Sequence, residues 1–129
     1  MPLVDSAGSV PRASGLEALV RIYVSGPISG YEDGNLPLFR SAELALIKLG
    51  YSVVVPHDCK PHQHSDPCPT GYGRPFVISD DQHTSTACFI RGDFRELLTC
   101  DAIYLLRNWE YSVGARAEFD IAALSGMKI

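Results

Sequence analysis

The 129-residue sequence predicts a three-layer α/β fold, Rossmann-like (flavodoxin-like), with a parallel sheet. Three observations predict it. Short β-prone runs alternate with segments of helical periodicity, which is the pattern of βαβ units. One of these runs is β-branched throughout, as in a strand covered on both faces. The length fits one domain, and a hydrophobic content of 46% supports a core and excludes a wholly disordered chain.

The first half of the domain contains a predicted strand, helix and strand. Residues 1–20 begin rich in Gly, Ser, Pro and Ala, and we interpret them as a flexible N-terminal extension. The domain is predicted to span 21–129, beginning with the β-prone run 21–25 and a turn of small residues. A helix is predicted within 35–50, where apolar residues recur at helical spacing, and the run 52–56 is typical of a buried strand.

An irregular insertion separates the two halves. Residues 57–87 are rich in Pro, Gly, His and Asp and have no sustained period, and a loop of that length is usually functional or mobile. A helix over 88–98, a buried strand over 102–106 and a helix over 114–124 are predicted to follow. The chain stops at Ile129, so any last strand is expected to be very short.

Charge and composition exclude several classes of function. The formal net charge of −4 weighs against a protein that binds DNA or RNA, since phosphate backbones require clustered Lys and Arg. No apolar run reaches the 18 residues of a membrane span, and the N-terminus does not resemble a signal peptide. We therefore expect a cytoplasmic protein that contacts neither nucleic acid nor membrane. Its four cysteines are expected to be reduced, with Cys100 a small buried apolar residue.

Ligands of an open parallel sheet bind beyond the carboxyl ends of its strands, where three loops of this chain are predicted to meet. The first, Ser25–Gly30, could bind a phosphate through its backbone N–H groups. It matches neither GxGxxG nor the Walker A motif, and a tight turn that requires glycines explains it equally well.

The loop before the last helix carries the second candidate site. Ser112 could cap that helix or bind an anion at its positive end. Glu118 lies further along the same helix among small residues, and is either a solvated glutamate or a catalytic one. Asp93, on the preceding helix, is a second carboxylate. Two carboxyl groups about 5 Å apart can perform a retaining glycosidic reaction, one as nucleophile and the other transferring protons.

Several segments together resemble the nucleoside 2-deoxyribosyltransferase-like superfamily. The resemblance covers about 21–129 outside the insertion, and is greatest to a bacterial and phage branch of unassigned function. The segments that carry it are IYVSGP at 22–27, GYSVVVP at 50–56, RGD at 91–93, CDAIYLL at 100–106 and WEYSVGARAE at 109–118.

The resemblance implies a function and a set of site residues. Members cleave the N-glycosidic bond of 2-deoxynucleosides or nucleoside 5′-monophosphates, with a glutamate nucleophile that corresponds to Glu118. Asp93 would handle the proton on the base, and Tyr23 would orient the nucleophile. Ser112, six residues before Glu118, keeps the interval of members that hold a 5′-phosphate. The implied substrate-binding residues are Ser25, Gly26, Ser29, Gly30, Ser112 and Gly114.

We therefore expect a nucleoside 5′-monophosphate N-hydrolase that needs no cofactor. The resemblance also implies a homodimer or higher homo-oligomer in which the partner chain completes the pocket. A nucleoside 2-deoxyribosyltransferase is the first alternative, since only the acceptor differs. A non-catalytic nucleotide-binding or regulatory module is the second.

The insertion also contains residue types that bind zinc. Their spacing does not fit the paired ligands of a zinc finger or ribbon, so we expect no metal and interpret the segment as a His-rich loop, with a metal site as the alternative. The residues concerned are His57, Cys59, His62, His64 and Cys68.

Overall fold

The computed structural model describes residues 3–4, 10–12, 20–60 and 86–129. In these ranges the chain alternates strands with helices, as the sequence predicts. The elements in chain order are β1 (Leu3–Val4), β2 (Arg21–Ser25), α1 (Leu36–Lys48), β3 (Ser52–Val54), α2 (Thr86–Leu97), β4 (Ala102–Leu105) and α3 (Val113–Leu124).

The four strands form one parallel sheet in the order β1-β4-β2-β3. The chain leaves β2 toward β3 on one side and then returns to β4 on the other, so the strand order reverses between β2 and β4. The carboxyl ends of these two central strands therefore border the crevice in which such sheets bind ligands. At the C-terminus, Lys128 forms a single parallel bridge to Ala102, which confirms that the last strand is very short.

Two apolar clusters cover the two faces of the sheet, because side chains alternate along each strand. Ile22 and Val24 pack in the cluster that includes Phe39 and Leu46 of α1. Tyr23 belongs to the opposite cluster, whose helical members come from α2 and α3. This arrangement confirms the three-layer α/β fold with a parallel sheet.

Most element boundaries agree with the sequence to within two residues. The second predicted strand is shorter than expected, because Pro56 has no N–H to donate and begins a 3-10 turn over Pro56–Asp58. α2 starts at Thr86, inside the predicted insertion; residues 61–85 lie outside the described residues. Gly92 is buried within α2 and does not interrupt it, and Cys100 is buried as predicted.

Part of the predicted N-terminal extension contacts the domain. Leu3 and Val4 pair with Tyr104 and Leu105 of β4, and Val10 is buried in the cluster beneath α1. Residues 1–2, 5–9 and 13–19 lie outside the described ranges. Within those ranges, no helix is long and apolar enough to span a membrane.

Candidate active site

Strand β2 directs two hydroxyl groups toward α3. Tyr23 and Ser25 are two residues apart and so lie on the same face of the sheet, and both are completely buried. The carbonyl of Ser25 accepts a hydrogen bond of 2.8 Å from the N–H of Leu106. The backbone that carries these hydroxyls is therefore fixed by its pairing with β4.

Helix α3 places Glu118 opposite these hydroxyls. The helix starts at Val113 because the Ser112 hydroxyl accepts a hydrogen bond of 3.2 Å from the N–H of Ala115 and so caps it. Ala115 and Ala122 are buried and small, so the helix can pack close to the sheet. Glu118 follows one turn after Ala115, and only 7% of its surface is exposed.

The Glu118 carboxylate accepts one hydrogen bond on each oxygen. The Tyr23 hydroxyl donates to Oε2 at 2.5 Å, and the Ser25 hydroxyl donates to Oε1 at 2.7 Å. Burial raises the pKa of Glu118 to about 7, while the two hydrogen bonds oppose that rise. Burial and the charge of Glu118 raise the pKa of Tyr23 well above its ordinary value, so its phenol remains protonated and donates.

Asp93 of α2 is the second acid at this site. Its side chain is half-buried. Burial, followed by the charge of Glu118, raises the pKa of Asp93 to about 7. The charge of Glu118 on α3 therefore acts on the Asp93 carboxyl of α2 and favours its protonated form. Neither faces bulk solvent in the way an ordinary surface acid does.

No sequence pattern predicts that Cys59 lies near the acids. Its thiol donates a weak hydrogen bond of 3.6 Å to the carbonyl of Val55. Burial, and then the charges of Asp93, Glu96 and Glu118, raise the pKa of Cys59 to about 12. The sulfur is thus a neutral thiol beside the acid pair, and only the return of the chain after β3 brings it there.

Among the described residues, no three His, Cys, Asp or Glu side chains form a group suited to a metal ion. His57 donates from Nε2 to the carbonyl of Gly34 at 2.7 Å and packs edge-on against Phe39. The predicted candidates His62, His64 and Cys68 lie outside the described ranges.

The loop after β2 contains the predicted phosphate-binding residues. Gly26 is buried, and a Cβ atom there would lie 2.7 Å from Cβ of Leu106, so close packing alone requires glycine. Ser29 and Gly30 are exposed, and Gly30 has a positive φ of 83°. The Asn35 side chain donates to the carbonyl of Pro27 at 3.0 Å and ties the loop to the start of α1.

At the other predicted anion-binding position, Ser112 is partly buried and Gly114 is exposed at the N-terminus of α3. The Ser112 hydroxyl acts as the helix cap, one of the two roles considered from the sequence. A cap accepts through oxygen lone pairs and keeps its own hydrogen. The same hydroxyl therefore still has a proton to donate to an anion at the positive end of the helix.

A cavity of about 310 Å³ opens on the α2 side of β3. Cys59 is one of its lining residues, and the charges of both carboxylates act on its thiol, but neither Asp93 nor Glu118 lines the cavity. The remaining lining residues are Arg21, Val53, Val54, Val55, Asp58, Lys60, Arg95 and Glu96.

Comparison with protein families gives one match. Residues 20–129 match the model of the family described as a domain of unknown function, DUF4406. No curated protein and no solved structure matches the chain.

Proposed function

The chain belongs to the DUF4406 family, and we propose that it hydrolyses the N-glycosidic bond of a nucleoside 5′-monophosphate. The observation that carries this proposal is the buried Glu118 carboxylate, held on both oxygens by Tyr23 and Ser25 and coupled to Asp93. A structural carboxylate would gain nothing from burial next to a second acid. A displacement at a sugar carbon requires this pair, one carboxyl ionised and the other protonated.

In the first step, Oε of ionised Glu118 attacks the anomeric carbon of the sugar. The bond between that carbon and the base nitrogen breaks, and its electron pair leaves with the base. Protonated Asp93 transfers its proton to the departing base, which is then released as a neutral molecule. The product is an ester between Glu118 and the sugar phosphate.

In the second step, water attacks the same carbon and Asp93, now ionised, accepts a proton from that water. The ester bond breaks, Glu118 is restored as a carboxylate, and the sugar phosphate leaves. Tyr23 keeps the same carboxylate oriented through both steps, because its phenol remains protonated. With both carboxyl pKa values raised to about 7, the pair retains one proton near neutral pH.

The 5′-phosphate is proposed to bind at the N-terminus of α3 and the neighbouring loop after β2. The first N–H groups of a helix have no partners within the helix, and its dipole favours an anion there. Ser112 and the exposed Gly114 lie at this terminus, and Ser29 and Gly30 are exposed on the neighbouring loop. Gly26 allows this loop to pack closely against Leu106, and Ser25 donates a hydrogen bond to Glu118.

The experiment is a screen of the deoxy- and ribonucleoside 5′-monophosphates, with free base measured by chromatography. We expect release by the native chain and loss of release in Glu118→Ala, while the matched control Asp120→Asn, an exposed carboxyl on the same helix, retains it. Denaturing the enzyme during turnover should leave the sugar phosphate attached to the peptide that contains Glu118, as mass spectrometry would show.

Two other results would replace the hydrolase proposal. Release only after addition of a second base would identify a deoxyribosyltransferase, in which that base replaces water in the second step. Nucleotide binding without turnover of any member of the screen would identify a binding or regulatory module.

A homodimer is part of the proposal. Tyr111, two residues before α3, and Val113, the first residue of α3, expose 83% and 66% of their surfaces. Phe89 and Ile90 on α2 are also exposed. Apolar side chains around the mouth of a site suit contact with a second copy. Light scattering coupled to size-exclusion chromatography should therefore give twice the 14.1 kDa mass of the chain, and a monomeric mass would contradict this part.

A further inference from the structure

We infer that Ser25 is a positioning residue whose hydrogen bond keeps the negative charge of the acid pair on Glu118 and the shared proton on Asp93. Its catalytic meaning rests on the proposed function. The distribution of the proton is a property of the folded chain and does not depend on any substrate.

Burial alone would place the proton on Glu118, the acid that must be ionised to act as the nucleophile. Glu118 is 7% exposed, whereas Asp93 is only half-buried. Because desolvation penalises the charged form, the more buried acid is the weaker one. Without other influences Glu118 would hold the proton, and a protonated carboxyl is a poor nucleophile.

Hydrogen bonds oppose this order. A donor directed at a carboxylate stabilises its ionised form. Glu118 receives two such bonds, from Tyr23 and from Ser25. No hydrogen bond from another described residue reaches the Asp93 carboxyl. The ionised state is therefore stabilised on Glu118, and its charge in turn favours the proton on Asp93.

Ser25 contributes independently of Tyr23, because the two hydroxyls donate to different oxygens of the Glu118 carboxylate. Tyr23 binds Oε2, and Ser25 is the donor at Oε1. Ser25 is completely buried, so solvent cannot readily supply a replacement donor. Its main chain is fixed by pairing with Leu106, so the hydroxyl lies where the carboxylate needs it before any substrate binds.

The experiment follows the side-chain carboxyl carbons of Glu and Asp by NMR as pH is varied, using ¹³C-labelled protein. The signals that disappear in Glu118→Gln and in Asp93→Asn identify the two acids. The test variant is Ser25→Ala, which is smaller than serine and fits the same space. Ser25→Thr retains the hydroxyl and should restore the native titration. Ser52→Ala, at the exposed first residue of β3, is the matched control.

In Ser25→Ala we expect the Glu118 midpoint to rise by about one to two pH units, the range that a lost hydrogen bond to a charged group implies. The Asp93 midpoint should fall in the same variant, because the neighbouring charge is then present over a smaller pH range. These opposite movements distinguish proton distribution from loosened packing, which would move both midpoints in one direction. Where the enzyme turns over substrate, the acidic limb of its kcat/KM profile should move upward with Glu118.

An unchanged Glu118 midpoint in Ser25→Ala, or parallel movement of both acids, would overturn the inference. If Ser25→Thr does not fold, the alanine variant decides alone. If the proposed function is wrong and this inference is right, the result is different. The two midpoints then still shift in opposite directions in Ser25→Ala, but no nucleotide releases its base.

Discussion

Replacing Glu118 by glutamine should make the protein increasingly stable relative to the native chain as pH rises. The pKa of Glu118 is raised from 4.5 to about 7 in the folded chain, so the folded state holds this proton more tightly than the unfolded state. That contribution to the free energy of unfolding is complete below about pH 4.5 and is lost as pH rises through about 7. Glutamine cannot ionise and does not have this dependence.

The magnitude follows from the size of the shift. A rise from 4.5 to about 7 corresponds to about 3 kcal/mol, and the low exposure of Glu118 means that solvent screening reduces it little. The amide fits the same contacts, since its carbonyl accepts from Tyr23 and its NH₂ donates to the Ser25 oxygen. Any fixed cost of burying the amide is the same at every pH and cancels in the comparison.

Urea unfolding at a series of pH values measures this effect directly. The difference in free energy of unfolding between Glu118→Gln and the native chain should increase by about 3 kcal/mol between about pH 4.5 and about pH 9. Asp120→Asn removes the same charge from an exposed position on the same helix and should show almost none of this dependence. Parallel stability curves for Glu118→Gln and the native chain would refute the assignment of a buried carboxyl with a raised pKa.

Four further substitutions test local parts of the structure. Gly26→Ala should lower the free energy of unfolding by about 1–3 kcal/mol, because its Cβ would lie 2.7 Å from Cβ of Leu106. Gly114→Ala is the matched control, since its Cβ would have no neighbour closer than 4.0 Å. It should leave the free energy of unfolding unchanged or raise it by up to about 1 kcal/mol. Ser112→Ala removes the cap of α3 and should lower the free energy of unfolding by about 1 kcal/mol. If Ser112 also binds the phosphate, the KM for the nucleotide should rise while kcat stays the same. Asp58→Asn should cost no more than about 1 kcal/mol in chemical denaturation, since its ion pair is exposed; a larger loss would contradict that interpretation.

The order and type of the main elements could be predicted because their signals are local. Apolar spacing within 35–50, the β-branched run 52–56 and the glycine at position 50 each act within a few residues. The alternation of β2 also predicts that Tyr23 and Ser25 share a face. The short pairing of Leu3 and Val4 with β4 was missed, because a strand of two residues has no period to detect.

The pairing of Glu118 with Asp93 came from a resemblance, and periodicity could not have supplied it. The role of Ser25 shows the same limit: the sequence placed it in a glycine-rich turn, where it was expected to bind substrate, and its hydrogen bond joins residues 93 positions apart. Cys59 was considered only as a metal ligand, yet the fold brings it beside two acids of other elements.

The sequence by itself determined the α/β architecture, the approximate start of α3 and the residue types from which a site could be built. The tertiary structure alone decided which carboxyl is more deeply buried, which hydroxyls reach it and how the two acids influence each other. The physical reason is that helical and strand periods are set by neighbours along the chain, whereas desolvation and charge coupling depend on distances between groups that only folding brings together.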